Sequence, residues 1–344
     1  MLHDKKPSLR LVWLCSKMSE RDWIEYLLAD FRLEHVVPQS HPVPLTGRTI
    51  YIVSTNVTPL LELPNCLAGL RPRTGSAAGV GLIHLSDEWF GQDYGYYSHF
   101  DFVLRNHFSR RLERAGLLQF PLGLPRVQPA PPAIVPQSFR RYTWSFCGNR
   151  VASRFEMLAT FDGLEPAYVL PQGQRIPPHE FQEVLAQSKF VPCPMGNVML
   201  ETWRAYEALE AGCIPLLERR TTLDYFRNLL GDHPIPTFSS WREARRFVCR
   251  ELQRPQELDR RQGELLEWWG VAKATWRQRV SEFVRKGLAG QYRHDLANFT
   301  FLPNPTRRLW QYSELARHHS SRALLRRASV MLARPFAARS RTTC

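Results

Sequence analysis

The sequence predicts an α/β chain in two halves, each organised on a parallel sheet. Three observations point there. Short apolar runs of strand length alternate with helical stretches, the pattern that builds parallel sheets through helical crossovers. A proline-rich segment from Leu122 to Phe139 interrupts the alternation near the middle and reads as an extended, semi-rigid linker. At 344 residues the chain is long enough to bury two cores. The expected division is 1–121, a linker over 122–140, a second domain over 141–290, and an extension over 291–344 with a basic tail.

Taken in order, Leu9 to Leu14 reads as the first strand. Ser19-Glu20-Arg21-Asp22 opens a helix to Phe31, with acids in the first turn where they favour the helix dipole. Thr49 to Val53 is a second strand, and the proline- and glycine-bearing stretch Leu63–Gly79 a loop. Val80 to Leu85 is a buried strand that delivers Ser86-Asp87-Glu88 to its carboxyl end. A glycine-punctuated aromatic run with Trp89, Phe90, Tyr94, Tyr96 and Tyr97 follows, and then a strand from Phe100 to Leu104 presents Arg105-Asn106-His107. Aromatic rings beside carboxylates suit sugars, because the apolar face of a pyranose packs on a ring while its hydroxyls seek acceptors. Asp87 and Glu88 serve equally well as first-turn helix acids or as a general base. His84 is a rival base, although its place inside an apolar strand also fits a core histidine.

Beyond the linker, Thr143 to Cys147 is a strand, and Gly148-Asn149-Arg150 turns into a helix from Ser153 to Thr160. A glycine turn with Arg150 and Arg154 at a helix start suits an anion. Phe181–Gln187 is a short helix. The most informative stretch is Ser188 to Leu217: an apolar strand through Cys193-Pro194, a turn at Met195-Gly196-Asn197, a helix from Leu200 to Ala211 ended by Gly212, and a strand Cys213–Leu217. At about 100° per residue, Glu201, Arg204 and Glu207 fall in one arc of roughly 120°. That spacing fits an ion pair on a solvated face. The spacing alone favours that reading; it also admits a guanidinium gripping a diphosphate beside carboxylates that accept sugar hydroxyls. Amphipathic helices follow at Trp241–Leu252 and Gln262–Lys286.

The string CPMGNVMLETWRAYEALEAGCIPLL, with its CP-x-G turn, R-x-x-E-A and A-G-C-I-P, resembles the signature of the exostosin-type glycosyltransferases. The likeness extends more loosely over Thr143–Phe247, and the block H-L-x-D-E followed by an R-N pair resembles the acceptor side of the same enzymes. The resemblance implies two Rossmann-like domains facing a cleft (GT-B) and an inverting, metal-independent transfer from a nucleotide sugar, which is a co-substrate and no cofactor. It assigns the donor to Gly148, Arg150, Pro194, Gly196, Asn197, Glu201, Arg204 and Glu207. It assigns the acceptor to Trp89, Tyr94, Arg105 and Asn106, with Asp87 or Glu88 as base. The acceptor would be a glycan or a lipid-linked glycan, and a bacterial member is expected.

Composition bounds the alternatives. The chain is 44% hydrophobic and 12% aromatic with net charge +14, so it is globular and its partner anionic. Nucleotide diphosphates, lipid phosphates and nucleic acid all qualify, but the arginines are dispersed and no nucleic-acid motif occurs, which speaks against nucleic acid. A non-catalytic glycan-binding protein is the other alternative. Seven scattered cysteines without C-x-x-C argue against a disulfide framework or zinc site. No run of apolar residues spans a bilayer, and the apolar core near the N-terminus is short for a secretory signal. A cytoplasmic protein is expected. The segment from Ala316, with seven arginines and no acid, reads either as a solvated tail or as an amphipathic helix on the anionic inner face of a membrane.

Overall fold

A computed structural model describes residues 6–15, 19–39, 43–54, 67–68, 78–88, 90, 94–125, 133–151, 153–196, 198–220, 222–292 and 295–296. Trp89, Asn197 and the basic segment from Ala316 lie outside the described residues. The structure is mixed α/β, with two larger sheets made wholly of parallel strands, consistent with Rossmann-like units.

The first sheet has six strands: β1 (Ser8–Trp13), β2 (Arg32–Val36), β4 (Thr49–Ser54), β6 (Val80–Leu85), β7 (Phe102–Arg105) and β8 (Leu117–Gln119). They run in the order β2-β1-β4-β6-β7-β8. Strands β4 and β6 are buried at every residue, as the continuous apolar runs TIYIVS and VGLIHL require of central parallel strands covered on both faces. Two two-residue strands, β3 (Val43–Pro44) and β5 (Leu67–Ala68), pair with each other apart from it. The second sheet joins β9 (Tyr142–Phe146), β10 (Ala167–Val169), β11 (Ser188–Cys193), β12 (Ile214–Glu218) and β13 (Thr237–Phe238) in the order β10-β9-β11-β12-β13. In both sheets the first strand lies inside and the second at the edge. The order therefore reverses between β1 and β4, and again between β9 and β11. In open α/β sheets, ligands settle outside the carboxyl ends of strands at such reversals.

The helices are α1 (Arg21–Leu27), α2 (Arg154–Phe161), α3 (Pro178–Ala186), α4 (Trp203–Glu210), α5 (Tyr225–Leu230), α6 (Trp241–Leu252) and α7 (Pro255–Leu288). Two expected boundaries are corrected. The helix expected from Leu200 starts at Trp203, because Thr202 is extended at φ −140° and ψ 150°. The final helix starts at Pro255 instead of Gln262, its charged first turns held by the ion pairs of Arg260 with Glu257 and Glu264. Gly212 closes α4 as expected, at φ 65°, a conformation that glycine adopts without strain. Beside it the buried Arg140 donates to the carbonyls of Ala211, Leu185 and Ser188, fastening two helix ends to the sheet.

Helix α7, about 50 Å long at 1.5 Å per residue, serves both sheets. Near its start, Asp259 accepts from Ser138 N and Oγ, and Gln262 donates to the carbonyls of Gly212 and Val135. Near its end, Ser281 Oγ donates to Leu27 O, Gly79 N donates to Leu288 O, and Phe283 meets Phe102 edge to face.

Candidate functional site

The CP-x-G turn leaves the carboxyl end of β11, next to the order reversal of the second sheet. Pro194, Met195 and Gly196 are buried there, and Gly196 N donates to Met199 O at 2.7 Å. A carboxylate holds the turn from below: Glu218 Oε2, at the end of β12, accepts from Met195 N and from Ser153 Oγ, both at 2.8 Å. Val198, Met199 and Leu200 then plug into the core, and α4 begins. Its apolar residues Ala205, Tyr206, Ala208 and Leu209 face inward.

Arg204, in the first turn of α4, reaches back under the strand ends. Its guanidinium lies 4.6 Å above the ring of Phe146, and Nη2 donates to Cys147 O at 3.1 Å. A Cβ on Gly148 would stand 2.5 Å from that same nitrogen, so the glycine makes room for the arginine. Nη1 is buried and has no hydrogen-bond partner among the described residues, like Thr202 Oγ1 and Trp203 Nε1 beside it. Unpaired buried polar atoms are rare in a finished core, and here three of them, on Thr202, Trp203 and Arg204, adjoin one cavity.

These groups line a cavity of about 290 Å³ together with Gly196, Glu207, Arg154, Glu20, Ser86, Glu88, His107 and Leu122. Its lining comes from the carboxyl ends of strands in both sheets. The second-sheet side carries the cations Arg204 and Arg154, with Glu207; the first-sheet side carries Glu20 and Glu88. Arg154 donates to the carbonyls of Met195 (3.2 Å) and Asn149 (2.9 Å). Burial, then the like charge of Arg204, lowers it to about 10, with Glu88 opposing. Two guanidiniums that disfavour one another are an arrangement an anion relieves. Burial pushes the Glu207 carboxyl up to about 7, against the pull of Arg204.

On the first-sheet side the backbone is strained. Ser86 and His107, both non-glycine, sit at φ 62° and 63°, a conformation that persists only where surroundings enforce it and that clusters at functional sites. Asn106 Oδ1 accepts from Ser86 N at 3.0 Å, and Ser86 Oγ donates to Glu20 Oε1 at 3.3 Å.

The residues expected from the sequence divide accordingly. Glu88, Gly196, Arg204 and Glu207 line the cavity, and Gly148 fits against Arg204. The cation lining it from the β9 turn is Arg154; Arg150 stands in the same turn, its backbone N bound to Gln172. Glu201 does not share a helical face with Arg204 and Glu207, since it precedes α4. It is buried and accepts from Leu122 N (2.7 Å), Tyr225 Oη (2.7 Å) and Tyr206 Oη. Asp87 is buried with Tyr94 and Arg105. The guanidinium of Arg105 lies 4.9 Å above the Tyr94 ring and 5.1 Å above Phe90. His84 is a core histidine, hydrogen-bonded through Nδ1 to Tyr97 at 2.6 Å and kept well below its ordinary pKa by burial. Asp87, Arg105, Asn106 and Tyr94 thus stand behind the cavity wall and hold the loops that form it.

Sequence reasoning missed Glu20, His107, Leu122 and Glu218. Glu20 was legible as a helix-start acid; its place just after the carboxyl end of β1 was the signal for more.

An α/β fold with guanidiniums gathered at strand ends around a cavity is a class of arrangement suited to an anionic ligand. Within that class, residues 165–288 match the family model of the RXYLT1 C-terminal domain, of an exostosin-related xylosyltransferase family. The matched segment runs from just before β10 to the end of α7 and includes the CP-x-G turn, Arg204 and Glu207. It supports an exostosin-like glycosyltransferase. No curated protein matches the chain.

Proposed function

We propose that the protein is a glycosyltransferase that moves a sugar from a nucleotide donor to a hydroxyl of a glycan or glycoconjugate. Its two halves, 1–121 and 141–290, would form a GT-B cleft around the cavity, joined by the linker over 122–140. The observation that carries the reading is the polarity of that cavity. Arg204, inside the segment that matches the family model, and Arg154, before it, stand on one side, and the carboxylates Glu20 and Glu88 stand opposite. A nucleoside diphosphate needs the first and an acceptor hydroxyl the second.

In this reading Arg204 and Arg154 take the diphosphate. Arg204 Nη1, buried and unpaired, gains a partner, and both guanidiniums stabilise the charge that grows on the leaving phosphate as the glycosidic bond breaks. No metal is then needed for that role. Glu207 accepts from hydroxyls of the ribose or the transferred sugar. A first-sheet carboxylate removes the acceptor proton, and attack from the face opposite the phosphate inverts the anomeric centre. Glu218 holds the CP-x-G turn at Met195, and Glu201 clasps Leu122, Tyr206 and Tyr225, neither touching substrate. The acceptor in view is a glycan, free or lipid-linked, met in the cytoplasm; the basic segment from Ala316 would suit the lipid-linked case at an anionic membrane face.

Thermal shift with UDP, GDP, dTDP, CMP and UDP-xylose, on wild type and Arg204→Ala, tests the donor assignment. UDP-xylose belongs in the panel because the matched family is related to xylosyltransferases. A ligand at 100 times its dissociation constant adds about 2.7 kcal/mol of stability. The expected result is that one nucleotide stabilises the wild type and leaves the variant unmoved. A correctly folded wild type that responds to none of them refutes the reading.

A further inference from the structure

Six acidic side chains are buried among the described residues, and five are spoken for. Asp87 pairs with Arg105, Asp101 accepts from Val80 N, Glu201 takes three donors, Glu218 holds Met195, Ser153 and Arg220, and Glu251 faces Arg250 and Arg261. The sixth is Glu20. It is 4% exposed, yet it lines the cavity. Its partners are the Ser86 hydroxyl, at a long 3.3 Å, and its own backbone N–H; among the described residues no lysine or arginine pairs with it.

Burying a carboxylate with so little compensation is strongly unfavourable if it is ionised. Accordingly, burial raises its proton affinity above that of an ordinary glutamate. Glu88, the other first-sheet carboxylate, is differently placed. It faces the cationic side, where it pulls on Arg154, and its Oε2 lies 3.8 Å from where a Cβ on Gly196 would be. The strained Ser86, which bonds Glu20, and the strained His107 line the same cavity. His107 is 5% exposed and neutral, held down to about 3 by burial and by Arg105, and among the described residues its Nδ1 has no hydrogen-bond partner.

Resting on the transferase reading, we propose that Glu20 is the catalytic base, that Ser86 orients it, and that Glu88 instead steadies the Arg154 side of the donor. In the step, the acceptor oxygen forms a bond to the anomeric carbon of the nucleotide sugar. The bond from that carbon to the diphosphate oxygen breaks, and its electron pair leaves on the diphosphate. The acceptor proton passes to a Glu20 carboxylate oxygen. Atoms and charge balance with no further reagent. Glu20 suits the task because a base works best when its proton affinity approaches that of the medium, and an unpaired, partly desolvated carboxylate has the lone pairs to spare.

The test measures nucleotide release from the nucleotide sugar that stabilises the wild type, with water and with a panel of alkyl glycosides as acceptors. Glu20→Gln, Glu20→Asp and Glu88→Gln are each paired with nucleotide binding by thermal shift. Glu20→Gln is expected to lose 10²- to 10⁴-fold in kcat, the usual worth of a base, with nucleotide binding within twofold of wild type. Glu20→Asp is expected to recover part of that loss and covers the case in which the amide variant does not fold. Glu88→Gln is expected to raise the donor KM and leave kcat within tenfold. Wild-type turnover with a folded Glu20→Gln within a factor of three of it, or a Glu20→Asp no more active than Glu20→Gln, overturns the assignment and leaves the transferase reading standing. A wild type that neither binds nor turns over any nucleotide sugar overturns the transferase reading, and this proposal with it.

Discussion

Replacing Glu207 by glutamine tests the electrostatics of the arginine-bearing wall of the cavity without reference to any ligand. Burial raises this carboxyl from its ordinary 4.5 to about 7, with Arg204 pulling the other way. Between those values the folded protein keeps a proton that the unfolded chain has released, so stability falls as pH rises. The contribution is fully present below about 4.5, declines through about 7, and is flat above. At about 1.4 kcal/mol per pH unit the whole interval is worth about 3 kcal/mol. Between pH 5 and 8, roughly 2 kcal/mol of it is accessible. Glutamine has the same shape and no proton to lose. Glu207→Gln is therefore expected to be more stable than wild type at pH 8 by about 2 kcal/mol and nearly equal to it at pH 5. Urea unfolding of both proteins at the two pH values reads this as a shift in midpoint at unchanged slope. An identical difference at pH 5 and 8, or a variant that is less stable at pH 8, refutes the reasoning. The same carboxylate, if it accepts ligand hydroxyls, makes nucleotide-sugar binding strengthen as pH rises through 7.

Three other substitutions follow from the geometry. Gly148→Ala puts a methyl 2.5 Å from Arg204 Nη2, a flexible side-chain end; stability should change by less than about 1 kcal/mol, while nucleotide affinity, by titration calorimetry, falls at least tenfold as the guanidinium is displaced. Glu201→Ala leaves Leu122 N and two tyrosine hydroxyls without their acceptor, and at roughly 1–3 kcal/mol for each stranded group that water cannot reach it should destabilise by about 3–5 kcal/mol in urea unfolding. Gly287→Ala would favour an isolated helix by about 1 kcal/mol, but here the methyl meets the Phe102 ring at 2.2 Å, so a net loss of about 1–3 kcal/mol is expected, and a gain in urea unfolding would show that α7 does not press on β7.

What was legible in the sequence follows burial. Strands β4 and β6 lie inside a sheet covered on both faces, so every residue is apolar or packed, and the runs are plain. Strand β2, RLEHV, is an edge with no fully buried residue, and its composition says little. Strands β8, β10 and β13 are two or three residues long, shorter than any periodicity can register. At the site, Arg204, Glu207 and Gly196 were legible because a turn and one helical phase fix their relation. Glu201 was misassigned for the same reason: its phase was extrapolated through Thr202, whose extended backbone breaks the helix one residue before Trp203.

The acids show where that reasoning ends. Glu20, Asp87, Glu88 and Glu201 all follow carboxyl ends of parallel strands, and the strand-end rule treats them alike. What separates them is how many donors each meets, and those donors are distant in sequence. Asp87 finds Arg105 from β7 and Tyr94 from the turn between, so its charge is spent inside the wall. Glu201 finds Leu122 beyond β8 and Tyr225 on α5, and becomes a clasp. Burial raises the proton affinity of Glu201 as it does that of Glu20, but a carboxylate so satisfied has no acceptor position left to offer a ligand. Glu20 finds one hydroxyl at 3.3 Å and pays for burial with a raised proton affinity. Availability for chemistry is therefore the residue of a hydrogen-bond count, and no local pattern around Glu20 could have supplied that count before Ser86 was brought to it across the sheet.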